Sequence, residues 1–451
     1  MITQTSIMLA AVSVLGLVLG TWCAVAGGQK PRAVAPVELR KDGDAWRLLR
    51  GGKPYYVKGA VYWSHPTRSR FPLRELAARG GNSVRCGGGN VPAILDGAAR
   101  LGMTALVNLP MKMEAVHKFD YDDEAAVKAQ LARCKAEVVK YKDHPAVLMW
   151  GIGNELSMNY KNRRVWNAVN DVARMIHEVD GKHPTLTVIG EGSIKRGDIR
   201  EIRKRCGDLD LLGINYYAGI EAVPEKVRED GWDRPYVVTE WGPSGDWQVK
   251  RTKWGAAIEE TSTEKAQRYL ERYRGTMGKD AKRCLGSYVF IWSSRRERTH
   301  TWYGMFMGGG ERTEAVNAMQ FAWTGKWPAN RAPAVKPPTI DGRAARDSVY
   351  IEPGGTHEAR IEATDPDGDA LTFTWEIWHE VARAGYAGMG ERHGKPIAGL
   401  VKKAKDGSMT FVAPKKEGAY RVFVSLRDGQ GNAACANAPF YVQASRPTPK
   451  R

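Results

Sequence analysis

The chain alternates between two patterns. Short, almost wholly apolar runs are followed by longer stretches whose apolar residues recur every three or four positions. The first pattern reads as a strand buried on both faces and the second as a helix with one apolar stripe. Their alternation marks a parallel sheet covered by helices. Residues 53–63, 82–86, 104–109, 146–155, 185–189, 211–216, 235–242 and 285–292 are the strand candidates. Helical periodicity falls on 73–79, 91–101, about 123–141, 165–179, 199–206, 223–229, 263–277 and 314–323. Eight strands alternating with about eight helices predict a (β/α)8 TIM barrel over residues 36–327. A hairpin within 37–58, with turns at Asp42-Gly43-Asp44 and Arg50-Gly51-Gly52-Lys53, leads into it.

The pattern changes beyond residue 327. Residues 328–338 (Pro-Ala-Asn-Arg-Ala-Pro-Ala-Val-Lys-Pro-Pro) read as a stiff, extended linker. After it, apolar and polar residues alternate in 359–363, 371–375, 409–412 and 420–426. That period predicts a small all-β, immunoglobulin-like sandwich over 339–445, used as a spacer or docking domain. The Gly-rich insert 384–395 reads as a loop, and Trp375, Trp378 and Tyr386 are aromatics that could touch glycan. Asp365-Pro366-Asp367-Gly368-Asp369 is similar to the acidic turn of cadherin-like and polycystic-kidney-disease-type repeats, which often binds nothing, so no metal is assigned to it. At the other end, residues 7–26 are apolar and finish on the small-x-small pattern Ala24-Val25-Ala26. The expectation is a signal peptide or an N-terminal membrane anchor, and a periplasmic, cell-envelope or extracellular location.

Composition narrows the partners. Lys and Arg outnumber Asp and Glu by 68 to 50, a net charge of +18. The cations are scattered and form no block, which argues against nucleic acid as a partner. Past Cys23, the cysteines at 86, 134, 206, 284 and 435 lack metal-ligand spacing and read as buried thiols, with one disulfide an alternative. Fifteen Trp and seventeen Tyr offer flat faces suited to sugar rings.

Two apolar runs end on a glutamate. Ala146-Val-Leu-Met-Trp-Gly-Ile-Gly-Asn-Glu155 belongs to the fourth strand, and Pro235-Tyr-Val-Val-Thr-Glu-Trp-Gly242 to the seventh. The C-terminal ends of barrel strands carry catalytic residues. Glycosidic bonds need one carboxylic acid to protonate the leaving oxygen and one carboxylate to meet the developing cation. Glu155 and Glu240 are therefore the candidate pair. An isolated strand-end glutamate is more often a salt-bridge partner, so the weight rests on the two together in their local sequence.

These motifs resemble glycoside hydrolase clan A and, within it, the catalytic barrel of glycoside hydrolase family 2. The matching residues are Asn154-Glu155 on strand four, Glu240 in Thr239-Glu-Trp-Gly on strand seven, Asn82-Ser-Val-Arg85 on strand two, Tyr216 or Tyr217 on strand six and Trp292 on strand eight. The resemblance covers about residues 50–327. It implies Glu155 as acid/base, Glu240 as nucleophile, and a retaining mechanism through a glycosyl-enzyme intermediate. It further implies that Arg85 and a tyrosine hold Glu240 and that Asn154 bonds the sugar hydroxyl beside the anomeric carbon. Family 2 barrels often follow the strand-two arginine with a histidine, where this chain has Cys86-Gly-Gly-Gly89, so the substrate subsite is expected to differ. Trp241, Trp247, Trp254 and Trp292 complete the substrate-binding candidates. Residues 295–306 could line the opposite wall. The mechanism uses no cofactor and no metal. A Trp-rich rim beside cations suits an extended glucan or one with acidic substituents. A transglycosidase using the same carboxylates and a non-catalytic glycan-binding envelope protein remain open alternatives.

Overall fold

A computed structural model describes residues 34–66, 69–382 and 384–444. The leader or anchor expected over 7–26 lies outside the described residues. Among the described residues no helix is long and apolar enough to cross a membrane.

Eight parallel strands close into a barrel in chain order, the last pairing with the first: Val57–Val61, Ser83–Cys86, Thr104–Leu109, Val147–Asn154, Thr185–Gly190, Leu211–Asn215, Tyr236–Trp241 and Cys284–Val289. Every residue of the fourth strand but Asn154 is buried, as are all six of the seventh. That is why these stretches read as continuous apolar runs rather than alternating ones. The helices follow their periodicity. Val165–Val179 buries Val165, Val169, Val172, Ala173 and Ile176 toward the sheet. Asp123 caps Glu124–Tyr141 by accepting from the Ala126 amide. Thr261 and Glu264 form a capping box on Ser262–Arg272.

The strand predicted over 53–63 is shorter, because Lys53–Pro54 joins the N-terminal hairpin of Val37–Asp42 and Ala45–Arg50. That hairpin closes the bottom of the barrel. Val37 and Leu48 pack with Val57, Leu106, Leu148, Leu186, Leu211 and Leu285 of the interior. Two short helices escape the periodic reading, Glu114–His117 and Glu191–Arg196. At four to six residues they show too little of a helical repeat.

The C-terminal region is a two-sheet β-structure. One sheet contains Thr356–Arg360 and Ser408–Val412; the other contains Thr372–His379, Gly418–Arg427 and Ala433–Val442. Ile340, Ala359, Met409 and Phe411 from the first sheet meet Trp375, Ile377, Val422, Val424 and Phe440 from the second in one core. Trp375 is thus a core ring. The acidic turn brings carboxylate oxygens of Asp365, Asp369 and Asp428 within 4.8 Å of one another. Asn330 donates to Asp369 and Asn432 to Asp428 there.

The stretch expected to be a stiff, extended linker is seated on the barrel. Ala332 is buried and its amide donates to Asn317 Oδ1 (2.7 Å), while the Val335 amide donates to Thr263 Oγ1 (2.8 Å). The sandwich follows suit. Arg421 donates to the Ala257 carbonyl (2.9 Å), and Asn437 to Glu259 Oε2 (2.7 Å). Glu259 is itself buried and paired with Lys265, which holds its carboxyl below the usual range despite burial. Residues 34–444 thus form one compact unit in which buried charges cross the barrel–sandwich junction.

Candidate active site

Both glutamates sit where strand pairing slips. The register between the fourth and fifth strands shifts between Ile152 and Asn154, and that between the sixth and seventh between Val238 and Glu240. Such bulges re-aim side chains at a barrel rim. Glu155 has φ +48°, left-handed for a residue that is not glycine. A backbone so placed costs of order 1–3 kcal/mol and persists where the surroundings enforce it. Gly190 opposite leaves room for the carboxylate, since a Cβ there would lie 3.1 Å from Glu155 Oε1 and press on it.

The two carboxylates share one polar cluster. Arg85, only 2% exposed, donates to Glu240 Oε1 (2.8 Å), Asn154 Oδ1 (2.6 Å) and the Thr239 carbonyl (3.1 Å). Asn108 Oδ1 (3.3 Å) and Asn215 Oδ1 (3.4 Å) complete its surroundings. Asn215 is the hub: its amide donates to Glu155 Oε1 (2.9 Å) and Asn154 Oδ1 (3.1 Å), and its oxygen accepts from Thr239 Oγ1 (2.8 Å). The Tyr217 hydroxyl donates to Glu240 Oε2 (3.3 Å). Burial first, and the charge of Glu240 second, push the Glu155 carboxyl up to about 7. A group titrating there can hold a proton near neutrality and also release it.

These residues face a cavity of about 1010 Å³ at the C-terminal mouth of the barrel. Arg85, Asn154, Glu155, Tyr217, Glu240 and Trp247 line it. Of the strand-six pair it is Tyr217 that reaches Glu240; Tyr216 lies outside the lining and only its amide is used, donating to the Glu240 carbonyl. Strand alternation decides this, because Asn215 and Tyr217 point one way and Tyr216 the other. Three of the tryptophans do not reach the cavity. Trp241, next to the inward Glu240, points outward onto Tyr269 and Tyr273. Trp292 is fully buried against Phe306 and Trp323. Trp254 leaves the barrel to pack on Tyr350 and Tyr441 of the sandwich. The aromatic wall is built instead from Trp63, Phe290 and Tyr303 with Trp247. Residues 295–306 supply Arg295, Glu297, Arg298 and Tyr303 to the lining.

The sandwich completes the wall. Its insert sends Gly385, Tyr386, Ala387, Gly388, Met389 and Glu391 into the cavity lining. The Tyr386 hydroxyl accepts from Asn154 Nδ2 (2.9 Å) and donates to Glu155 Oε2 (3.2 Å). A spacer or docking role is therefore corrected by contact with Glu155 itself. Sequence periodicity carries no signal for this, since the partners are 231 positions apart. Asn215 and Asn108 carry no such signal either, although both lie near the ends of predicted strands.

Residues 94–244 match the family model described as glycosyl hydrolases family 2, TIM barrel domain. No curated protein matches the chain by sequence. Among solved structures, a calcium-binding mutant of Bacteroides uniformis beta-glucuronidase 2 is similar at 16% identity and TM-score 0.50, over 91% of this chain and 48% of that one. The same enzyme bound covalently to cyclophellitol-6-carboxylate aziridine gives 15% and 0.50 over the same shares, 91% and 48%. An FMN-binding beta-glucuronidase from Facaelibacterium prausnitzii gives 14% and 0.49, over 91% of this chain and 60% of that one. The chain thus spans about half the length of the Bacteroides enzyme, and at such identity the likeness is one of fold. With the family match inside it and the closed barrel around it, the domain resembles the TIM barrel domain of glycosyl hydrolases family 2.

Proposed function

We propose that the protein is a retaining β-glycoside hydrolase acting on a neutral oligo- or polysaccharide, such as a β-glucan. One observation carries the reading. Glu155, held near neutrality, and Glu240, held by Arg85 and Tyr217, meet through Asn215 and Asn154 at the mouth of one barrel.

The steps follow from the chemistry of that pair. Glu240, its Oε1 on Arg85, attacks the anomeric carbon while Glu155 gives its proton to the departing glycosidic oxygen. Bonding Glu240 to the sugar removes its charge, and with it one cause of the raised Glu155 pKa. Glu155 is then a base for an incoming water, which cleaves the glycosyl ester and frees Glu240. In this reading Asn154, beside Glu155 on the strand end, bonds a hydroxyl of the sugar.

Charge balance favours a neutral substrate. Each described cation of the lining has an acidic partner: Arg85 with Glu240, Lys195 with Glu191, Arg196 with Asp198, Arg295 with Glu297, and Arg298 with Asp246. A sugar carboxylate would have to share one of these cations with the acid already paired to it. Six large apolar side chains are exposed among the described residues, and three of them, Trp63, Trp247 and Met389, line this cavity. Flat or apolar faces at a cavity rim suit the axial C–H faces of sugar rings. The apolar run over 7–26 supports action outside the cytoplasm.

The test is a panel of 4-nitrophenyl β-glycosides and β-linked gluco-oligosaccharides, with matched glucuronides, read by product release and by NMR of the first anomer formed. The expected result is turnover of neutral β-glycosides with retention. Preference for the glucuronide, or an inverted first product, would overturn the substrate or the mechanism respectively.

A further inference from the structure

Resting on that reading, we propose that Tyr386, delivered by the C-terminal sandwich, is a positioning residue for the acid/base: it holds the proton-bearing oxygen of Glu155 and stabilises the carboxylate left when that proton departs.

Donor and acceptor bookkeeping fixes the arrangement. The Asn154 amide can only donate, so the Tyr386 oxygen is its acceptor and the Tyr386 proton is free to point at Glu155 Oε2. The other oxygen, Oε1, accepts from the Asn215 amide, which also can only donate. When Glu155 is protonated, the proton therefore sits on Oε2, the side facing Tyr386. When Glu155 has delivered it, the Tyr386 hydroxyl turns its own proton onto the new carboxylate. No covalent change occurs at Tyr386. Burial, reinforced by the charges of Glu155 and Glu240, pushes its phenol far up, so it remains a neutral donor throughout.

The loop is built to hold that hydroxyl still. It leaves the sheet after Thr372–His379 at Glu380, which takes both Nε and Nη2 of the buried Arg421 (3.0 and 2.9 Å). It returns at Ile397, whose amide donates to the Ile377 carbonyl (2.8 Å). Between these, the barrel loop after strand eight grips it twice. Arg295 donates to the Ala387 carbonyl (3.1 Å), and the Arg298 amide donates to Glu391 Oε2 (2.7 Å). Gly385, at φ +62° and ψ −170°, occupies a region open essentially to glycine, and a Cβ there would meet the Met389 carbonyl oxygen at 2.2 Å. The turn that aims Tyr386 is thus specified by its own sequence.

Other charged and polar groups share the cavity with Glu155. Glu240 comes from strand seven, Arg85 from strand two and the Tyr217 hydroxyl from strand six. Glu191, Lys195 and Arg196 come from the helix after strand five, and Arg295, Glu297, Arg298 and Glu391 from the far wall.

The experiment compares wild type with Tyr386→Phe and Gly385→Ala in two readouts. The first is kcat/KM for aryl β-glucosides whose leaving groups run from 2,4-dinitrophenol to phenol. Tyr386→Phe should lose roughly 10–100-fold on the phenyl glucoside, the worth of a hydrogen bond to a charged group, and little on the dinitrophenyl one, which needs no acid. Equal loss on both, or no loss on either, overturns the proposal. The second readout needs no substrate: the Glu155 carboxyl is titrated by ¹³C NMR, assigned with Glu155→Gln. Its pKa should rise in Tyr386→Phe, because a donor to the ionised form is gone, and an unchanged value overturns the placement. Gly385→Ala, which keeps the phenol but misdirects it, should reproduce both effects. A wild type inert on all aryl glycosides would count against the hydrolase reading alone, with the titration still deciding for or against Tyr386.

Discussion

Replacing Arg85 by Met tests whether Glu240 is held as a buried anion. Arg85 is 2% exposed and Glu240 8% exposed, at 2.8 Å. Methionine keeps much of the volume and removes the cation, leaving a carboxylate with only the Tyr217 hydroxyl on Oε2. Breaking a buried pair from one side costs about 3–5 kcal/mol, because the remaining charge has lost its partner. For a chain of this length, at about 2 cal/mol/K of unfolding entropy per residue, that is a Tm lower by roughly 3–6 °C. The decisive variant is the double, Arg85→Met with Glu240→Gln, which has no orphaned charge. It should regain at least ~1–2 kcal/mol over Arg85→Met, a coupling that a double-mutant cycle isolates. The assay is thermal unfolding of all four proteins in one buffer at pH 7.5. The reasoning fails if Arg85→Met melts within about 1 °C of wild type. It fails equally if the arginine costs as much in the Glu240→Gln background as in the wild type.

Three further outcomes follow from the same geometry. Glu155 titrates near 7 when folded, against an ordinary value of 4.5, so the folded state binds the extra proton and stability falls as pH rises from 4.5 through 7; Glu155→Gln should melt higher than wild type at pH 8, by about 3 kcal/mol at most, and lose that advantage at pH 4. The basic limb of kcat/KM should lie near 7 and move down in pH when Glu240 is neutralised, which a pH–rate series on a Glu240→Gln variant rescued with an external nucleophile would read. Trp247→Ala, removing a 43% exposed ring from the cavity wall, should raise KM for gluco-oligosaccharides several-fold more than for an aryl monoglucoside.

The barrel was legible because its physics is local. Strands buried on both faces must be apolar throughout, and helices such as Val165–Val179 must repeat every three or four residues, so both periods survive in one dimension. Glu155 and Glu240 were legible because a charge ending such a run needs a reason. Strand alternation, applied residue by residue, would also have turned Tyr216 and Trp241 away from the site. Other features were not local. Whether Trp254 or Trp247 faces the cavity depends on where the sandwich docks, since Trp254 is claimed by Tyr350 and Tyr441. Trp292 reads as a strand-end ring but is packed on Phe306 and Trp323, which lie beyond its own strand. Tyr386 sits in a Gly-rich insert with no period, and its partner Glu155 is in another domain. Contacts of that span leave no pattern in the sequence that makes them.

The most direct test is hydrolysis by the Glu240→Ala variant of whichever aryl β-glycoside wild type turns over fastest, measured with and without azide. Turnover should fall by roughly 10⁴-fold or more, as for other covalent nucleophiles. Azide should partly restore it and leave a glycosyl azide as product. Undiminished hydrolysis by that variant would contradict the assignment of Glu240, and with it the catalytic pair.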